Sequence, residues 1–283
     1  MNPTEDIPGR VTSVEIQTIT EGVTRSATDT LATEEPLDIQ LVCGAAAQTA
    51  AITMRTPGND FELTAGFLFS EGLIDSNRDI LGMSYCGDPS IRADQKYNVV
   101  TVEFAGGIPN LEQLQRHFTI NSSCGVCGRA NLQALHDRGV MPLPQTVQIA
   151  TETIYHLPGR MRQHQPVFDS TGGLHAAALF DAAGSLILLR EDVGRHNALD
   201  KVIGWALLNA RLPLSGYTLL VSGRSSYEIV QKAIVAGIEI VCSVSAPSSL
   251  AVSLAREFNL TLIGFLRGTR ANIYAAGSRM KPA

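Results

Sequence analysis

The sequence predicts an α/β protein in two parts: a mixed α+β roll, then a three-layer α/β domain. Three observations predict it. From Tyr217 onward, strand-like segments alternate with helix-like segments of about ten residues, which implies parallel crossovers and a sheet covered on both faces. Between Pro36 and Phe104, a hairpin, a short helix and two further strands make a smaller unit. The 283 residues suffice for about two such units. Expected boundaries are a polar, partly mobile segment over 1–30, the small α+β roll over 31–120, a connector over 121–147 and the α/β domain over 148–283.

The elements follow in order. Residues 1–30 are rich in Thr, Ser and Glu without sustained period, with room for a short edge strand from Val14 to Ile19. Leu37 to Val42 alternates like a half-buried strand and pairs with Ala51–Arg55. Thr56-Pro57-Gly58-Asn59-Asp60 punctuates the chain and offers Asn59 or Asp60 as an N-cap. A helix over 61–73 follows, then strands near Ile80–Tyr85 and Tyr97–Phe104 and a helical turn over 111–117. A helix pattern runs from Thr151 towards His164 and is broken at Pro158-Gly159. Ala176–Phe180 and Ser185–Leu189 flank Asp181-Ala182-Ala183-Gly184 as a hairpin. An amphipathic helix begins near Asn197. Strands at 217–221, 238–244 and 261–265 then alternate with helices at 227–236 and 249–258.

Composition excludes several classes. Hydrophobic residues at 45% and charged residues at 17% rule out disorder, collagen and coiled coil for the bulk of the chain. No stretch approaches the ~18 uninterrupted apolar residues of a membrane span. The acidic start, Met1-Asn2-Pro3-Thr4-Glu5-Asp6, lacks the charge and apolar run of a secretory signal, so a cytoplasmic location is expected. A net charge of −5 argues against nucleic-acid or membrane-surface binding. Its distribution is uneven: residues 1–120 carry −10 and residues 121–283 carry +5. One reading places any anionic ligand on the second half; the other is a solvated acidic half beside a roughly neutral one.

Of five cysteines, Cys43, Cys86 and Cys242 stand alone and are expected to pack as hydrophobes. Cys124 and Cys127 form a Cys-x-x-Cys pair in the glycine-flanked run Ser122-Ser123-Cys124-Gly125-Val126-Cys127-Gly128-Arg129. Such a pair can form a disulfide, bind half a zinc site or pass a sulfur atom; Arg129 could supply charge that favours the thiolate. Zinc would need two more ligands, and His117 and His136 bracket the loop at a spacing that matches no standard finger. Glu191-Asp192-Val193-Gly194-Arg195-His196-Asn197 precedes a helix, where Arg195 offers a fork for phosphate and His196 a group that titrates near neutrality. The structural alternative is mutual capping, with Asp192 on backbone N–H groups and Arg195 on Glu191. Three strand ends lead into Ser222-Gly223-Arg224-Ser225-Ser226, Ser245-Ala246-Pro247-Ser248-Ser249 and Phe265-Leu266-Arg267-Gly268-Thr269-Arg270. Ligands of open α/β sheets sit at such ends, and N–H groups with nearby arginines favour a nucleotide-like anion.

These motifs resemble the formate dehydrogenase accessory sulfurtransferase family, FdhD. The resemblance rests on Ser123–Gly128, Glu191–Lys201, Val244–Pro247, Gly66–Gly72 and Thr171–Ala176, in order, from about Glu35 to Tyr274. It implies a sulfur carrier that accepts persulfide sulfur from a cysteine desulfurase and passes it to the bis-molybdopterin guanine dinucleotide molybdenum cofactor for formate dehydrogenase, with a homodimer compatible. By the same resemblance the carrier pair is Cys124 and Cys127, and Phe265, Leu266, Arg267, Gly268, Thr269 and Arg270 contact the cofactor, whose GDP moiety serves as a partial ligand. Ser222, Gly223, Arg224, Arg195 and His196 join them from the strand-end argument, which makes residues 148–283 the cofactor-binding domain, without a resident metal. The resemblance further implies a cytidine-deaminase-like C-terminal fold. His175 is followed by Ala176-Ala177 where a deaminase has His-x-Glu, which disfavours deamination. A binding chaperone whose cysteine pair is structural or metal-binding is the alternative.

Overall fold

A computed structural model describes residues 9–87, 92–105, 133 and 135–281. The Cys124–Cys127 pair, His117, Arg129 and the helical turn expected over 111–117 lie outside the described residues.

The chain opens with a ribbon of two antiparallel strands, β1 (Val11–Thr20) and β2 (Val23–Ala32), paired from Val11↔Ala32 to Thr20↔Val23. The expected short edge strand is thus a full hairpin. Its turn, Glu21-Gly22, takes positive φ at both residues, the twist that suits a two-residue connection.

The roll is a four-stranded sheet, β4-β3-β6-β5, built from β3 (Glu35–Cys43), β4 (Ala46–Arg55), β5 (Ile80–Tyr85) and β6 (Val99–Phe104). Leu37, Ile39 and Leu41 alternate inward with Val100, Val102 and Phe104. They pack on Leu63, Ala65 and Leu68 of α1 (Asp60–Glu71). Asn59 is the N-cap of α1 in left-handed geometry, whereas the Asp60 side chain turns to Arg55. A one-turn helix, α2 (Ala93–Lys96), leads into β6.

The second sheet has six strands in the order β13-β12-β11-β10-β8-β9. Its centre, β10 (Thr218–Val221), β11 (Ile240–Ser243) and β12 (Thr261–Arg267), is parallel and connected by α6 (Tyr227–Val235) and α7 (Ser249–Glu257). Antiparallel strands flank it: β8 (His175–Phe180) with β9 (Leu186–Asp192) on one side and β13 (Arg270–Ala275) on the other. Alternate residues face opposite layers, as the strand period requires. Ala177, Leu179, Leu219, Val221, Val241 and Leu262 face α5 (Arg195–Leu208), α6 and α7. Ala176, Ala178, Phe180, Leu220, Ile240, Cys242 and Ile263 face α3 (Thr151–Arg162). The three-layer α/β expectation holds, with a mixed rather than wholly parallel sheet. A short helix, α4 (Pro166–Thr171), joins α3 to β8, and β7 (Ile149–Ala150) pairs with β14 (Met280–Lys281) beside the start of α3.

Two expectations are corrected. α3 runs unbroken through Pro158. A proline inside a helix costs about 3 kcal/mol, but Ile154, Leu157 and Met161 are all buried on the sheet, each worth roughly 1.5–3 kcal/mol. Packing wins. The third strand does not end at Phe265: β12 extends to Arg267 and turns back through Gly268-Thr269 into β13.

The two halves meet where α1 crosses α5. A Cβ on Gly66 would lie 1.9 Å from the Asp200 carbonyl oxygen, and one on Gly204 would lie 1.8 Å from that of Glu62. Only glycine permits backbones this close.

Candidate functional site

The polar run at the start of α5 divides into residues consumed by the joint between the halves and residues left at the surface. Glu191 is buried and accepts from the N–H groups of Val167 and Phe168 at the start of α4. Asp192, fully buried, accepts from Lys201 Nζ at 2.7 Å and from the N–H groups of Gly194 and Thr56 at 2.8 and 3.2 Å. Asn197 Nδ2 donates to the Met54 carbonyl, and Lys201 Nζ to that of Thr56. Asp200 accepts from Ser70 Oγ and from buried Lys232, whose ammonium also lies 3.4 Å from Glu71. Desolvation pushes the Asp200 carboxyl up and the Lys232 ammonium down; the pairing more than offsets the latter, and Lys232 ends above its ordinary value. Arg190 holds Glu62 through two hydrogen bonds. This charge cluster is therefore a buried latch. Mutual capping describes Asp192 well, but Arg195 does not pair Glu191.

Arg195 and His196 face the ends of the sheet instead. β8 runs antiparallel to β10, so its first residue, His175, lies beside the carboxyl end of β10. Ser222 exchanges hydrogen bonds with the Ala176 backbone, and its Oγ is 3.4 Å from His175 Nδ1. A Cβ on Gly223 would come within 3.3 Å of His175 Nδ1 and 3.7 Å of Arg195 Cδ. The Arg195 Nε is buried without a hydrogen-bond partner among the described residues. Nearby opens a cleft of about 540 Å³, whose walls include Met161, Phe168, Leu174, His175, Ser222 and Val244.

The three strand ends do converge. The Ser248 N–H donates to the Ser225 carbonyl, and Arg267 Nε donates to that of Val244. Gly264 lets the 245–247 loop close on β12, where a Cβ would meet Pro247 Cδ at 2.9 Å. Phe265 sits at φ 52°, 38% exposed, beside it. Arg224, Arg267, Gly268, Thr269 and Arg270 are exposed, while Leu266 is buried in the core beneath α3. The sequence reading did not select His175. Its signal was available only through topology, because a strand start counts as a site position when the strand runs antiparallel to its neighbour.

Elsewhere, Cys242 is buried and its thiol is pushed up to about 12 by desolvation, so it packs as expected; Cys43 and Cys86 are half-buried. His136 lies 2.6 Å from Glu257 and stacks on Phe258. No cluster of three or more metal-ligating side chains occurs among the described residues. No helix among them is long and apolar enough to cross a membrane.

Burial and a neighbouring charge favour the neutral form of both imidazoles. Burial, then the Arg195 charge, pushes His196 down to about 4 despite Glu228 at 3.9 Å; the same two causes lower His175. A histidine depressed on folding contributes stability that is full above its unfolded value of ~6.5 and is lost as pH falls towards its folded value. Unfolding midpoints should therefore fall between pH 6.5 and about 4, and His196→Gln should flatten that slope. Urea denaturation across the range checks this; an unchanged slope would contradict it.

The family model described as FdhD/NarQ matches residues 32–281. The protein named sulfur carrier protein FdhD in Streptomyces coelicolor is 50% identical over 277 residues, covering 96% of each chain. The protein of that name in Sulfurisphaera tokodaii is 48% identical and covers 96% of this chain and 98% of its own. A solved structure described as a putative formate dehydrogenase accessory protein from Desulfotalea psychrophila superposes with a TM-score of 0.75 at 25% identity, covering 96% of this chain and all of that one. The model match takes in both sheets, the glycine crossing and the latch between them, and the chain belongs to the FdhD/NarQ family.

Proposed function

We propose that this chain is a sulfur carrier in the maturation of formate dehydrogenase. A thiolate at Cys124 or Cys127 attacks the outer sulfur of a cysteine desulfurase persulfide; the S–S bond breaks, the donor cysteine leaves as thiolate, and the carrier holds a new persulfide. The sulfur is then delivered to the bis-molybdopterin guanine dinucleotide molybdenum cofactor, the cargo, in the cytoplasm. The strand-end edge formed by Ser222–Ser226, Ser245–Ser249 and Phe265–Arg270 is the nucleotide-facing surface, and residues 31–120 serve packing and protein contacts. One observation carries the reading: similarity over nearly the whole chain to proteins named sulfur carriers, in a sequence with one Cys-x-x-Cys pair.

The test is mass. After incubation with a desulfurase and cysteine, the tryptic peptide 117–129, which holds both cysteines, should gain about 32 Da that reductant removes, as persulfidation requires. The Cys124→Ala/Cys127→Ala double variant should gain nothing. If the wild-type peptide stays unmodified with a competent donor, the carrier reading fails and a binding chaperone remains.

A further inference from the structure

We propose that Leu135, His136 and Arg138 are positioning residues for sulfur transfer: they fasten the carboxyl-side end of the cysteine segment to both halves of the molecule, and so set how far Cys127 can travel. The inference deepens the carrier reading and rests on it for what the thiol meets, but not for the fastening itself.

The fastening has three points. Leu135 is 1% exposed and packs into the core formed with α5, α6 and α7. His136 stacks on Phe258, just past the end of α7, with ring centroids 5.0 Å apart, and its Nε2 lies 2.6 Å from Glu257. Arg138 reaches the other half. It donates to the Ser70 and Phe69 carbonyls at 3.1 and 3.4 Å, where the last turn of α1 has no basic residue of its own. A cation belongs there, because the carboxyl end of a helix carries negative partial charge. Burial pushes the Arg138 guanidinium down from its ordinary value, against the Glu71 and Asp75 charges. Gly72 makes the room: a Cβ at that position would lie 2.7 Å from Arg138 Cζ. The Gly139 and Val140 N–H groups donate to the His136 and Leu135 carbonyls, which holds the three side chains on one closed turn.

Chain length makes this fastening a leash. Cys127 stands eight residues before Leu135 and 22 after Ala105 at the end of the roll. Fully extended, those spans reach at most about 28 Å and about 76 Å, so the carboxyl-side tether is the limiting one. α7, at nine residues, is about 14 Å long, so all of it lies within that radius of His136. Were the fastening to open, the next fixed point would be Leu143, whose N–H donates to the Phe258 carbonyl and whose carbonyl accepts from Asn259. That tether is sixteen residues long. The concentration of a tethered group falls roughly as the −3/2 power of tether length. Doubling the shorter of two tethers therefore dilutes the thiol about two- to threefold.

Ser253→Cys, on the exposed side of α7, serves as the reporter. In a Cys124→Ser chain, the disulfide between Cys127 and the reporter thiol is titrated against glutathione, which gives the effective concentration of one thiol at the other. Mass spectrometry identifies the bond. Leu135→Ala/Arg138→Ala should lower that concentration about two- to threefold. Eight Gly/Ser residues inserted after Arg129 should do the same with the fastening intact, whereas eight inserted after Gly107 should change it by less than about a fifth. Persulfide loading from a desulfurase, measured with both native cysteines present, should stay at the wild-type level throughout, because the donor is a separate molecule. Thermal midpoints near wild type establish folding; should the double variant fail that check, His136→Ala/Arg138→Ala takes its place and should lower the concentration likewise. An unchanged concentration in the folded variant, or equal effects of the two insertions, would overturn the proposal. So would a parallel loss of loading, since the residues would then act on the thiol's chemistry and not on its position. Absence of loading in the wild type would instead sink the carrier reading and leave the reporter measurement standing.

Discussion

Gly204→Ala should lower the free energy of unfolding by about 3 kcal/mol, the upper end of the usual cost of overpacking. The sign is the informative part. In an exposed helix interior, the same change stabilises by roughly 1 kcal/mol, because alanine loses less conformational entropy than glycine. Here the new methyl would sit 1.8 Å from the Glu62 carbonyl oxygen and 2.7 Å from the Gly66 nitrogen. Both are helix backbone and cannot rotate away, so α1 and α5 would have to part by roughly an ångström. Gly66→Ala should behave alike, since its methyl would meet the Asp200 carbonyl. The two losses should be less than additive, because once the helices have parted for one methyl the second costs little. Urea titration of the single and double variants checks this; a raised midpoint in either single variant would show that the crossing is looser than described.

Asp192→Ala should cost about 3–5 kcal/mol, the usual penalty for leaving one member of a buried ion pair alone. Lys201 would keep its carbonyl partners, Thr56 and Glu191, but lose the carboxylate at 2.7 Å. Desolvation already lowers the Lys201 ammonium, and Asp192 is the first of the groups that oppose it. Adding Lys201→Met to Asp192→Ala should recover part of the loss, because a buried pair replaced by apolar groups is often close to neutral. If the double variant is as unstable as the sum of the single ones, the pair is not coupled and the cost lies in the Gly194, Thr56 and Asn197 hydrogen bonds to the same carboxylate.

Much of this architecture was readable in the sequence wherever one physical signal dominated. The strands and helices after Tyr217 carry apolar runs punctuated by small polar turns, and the Asp181–Gly184 hairpin has its turn residues in place. The ribbon of β1 and β2 was not readable in full. Its threonines and serines face solvent on both sides, so no period marks its length, and Glu21-Gly22 is a weaker turn signal than Asn-Gly. The hairpin into β13 was hidden because Arg267 and Arg270 draw attention as charges, although they are paired strand residues. In the candidate site, Arg195, His196, Ser222 and Gly223 were legible from their positions at helix and strand ends. The roles of Asp200 and Lys201 were not, since a charge in sequence reads as solvated until a partner from another segment is known to bury it; for Asp192 the capping of backbone N–H groups was legible, but not its pairing with Lys201.

The latch has a consequence for how such a chain can be inherited. Its donors and acceptors are divided between the halves: Met54, Thr56, Glu62 and Ser70 on one side, Arg190, Asp192, Asn197, Asp200, Lys201 and Lys232 on the other. A recombinant joined anywhere between residues 105 and 140 keeps each sheet whole, yet takes the two sides of every cross-half bond from different parents. The side-chain members, such as Ser70 on buried Asp200 and Glu71 beside buried Lys232, would then have to match across the parents. The two halves therefore form one heritable block, and segments outside it, such as the ribbon of β1 and β2, can be exchanged far more freely.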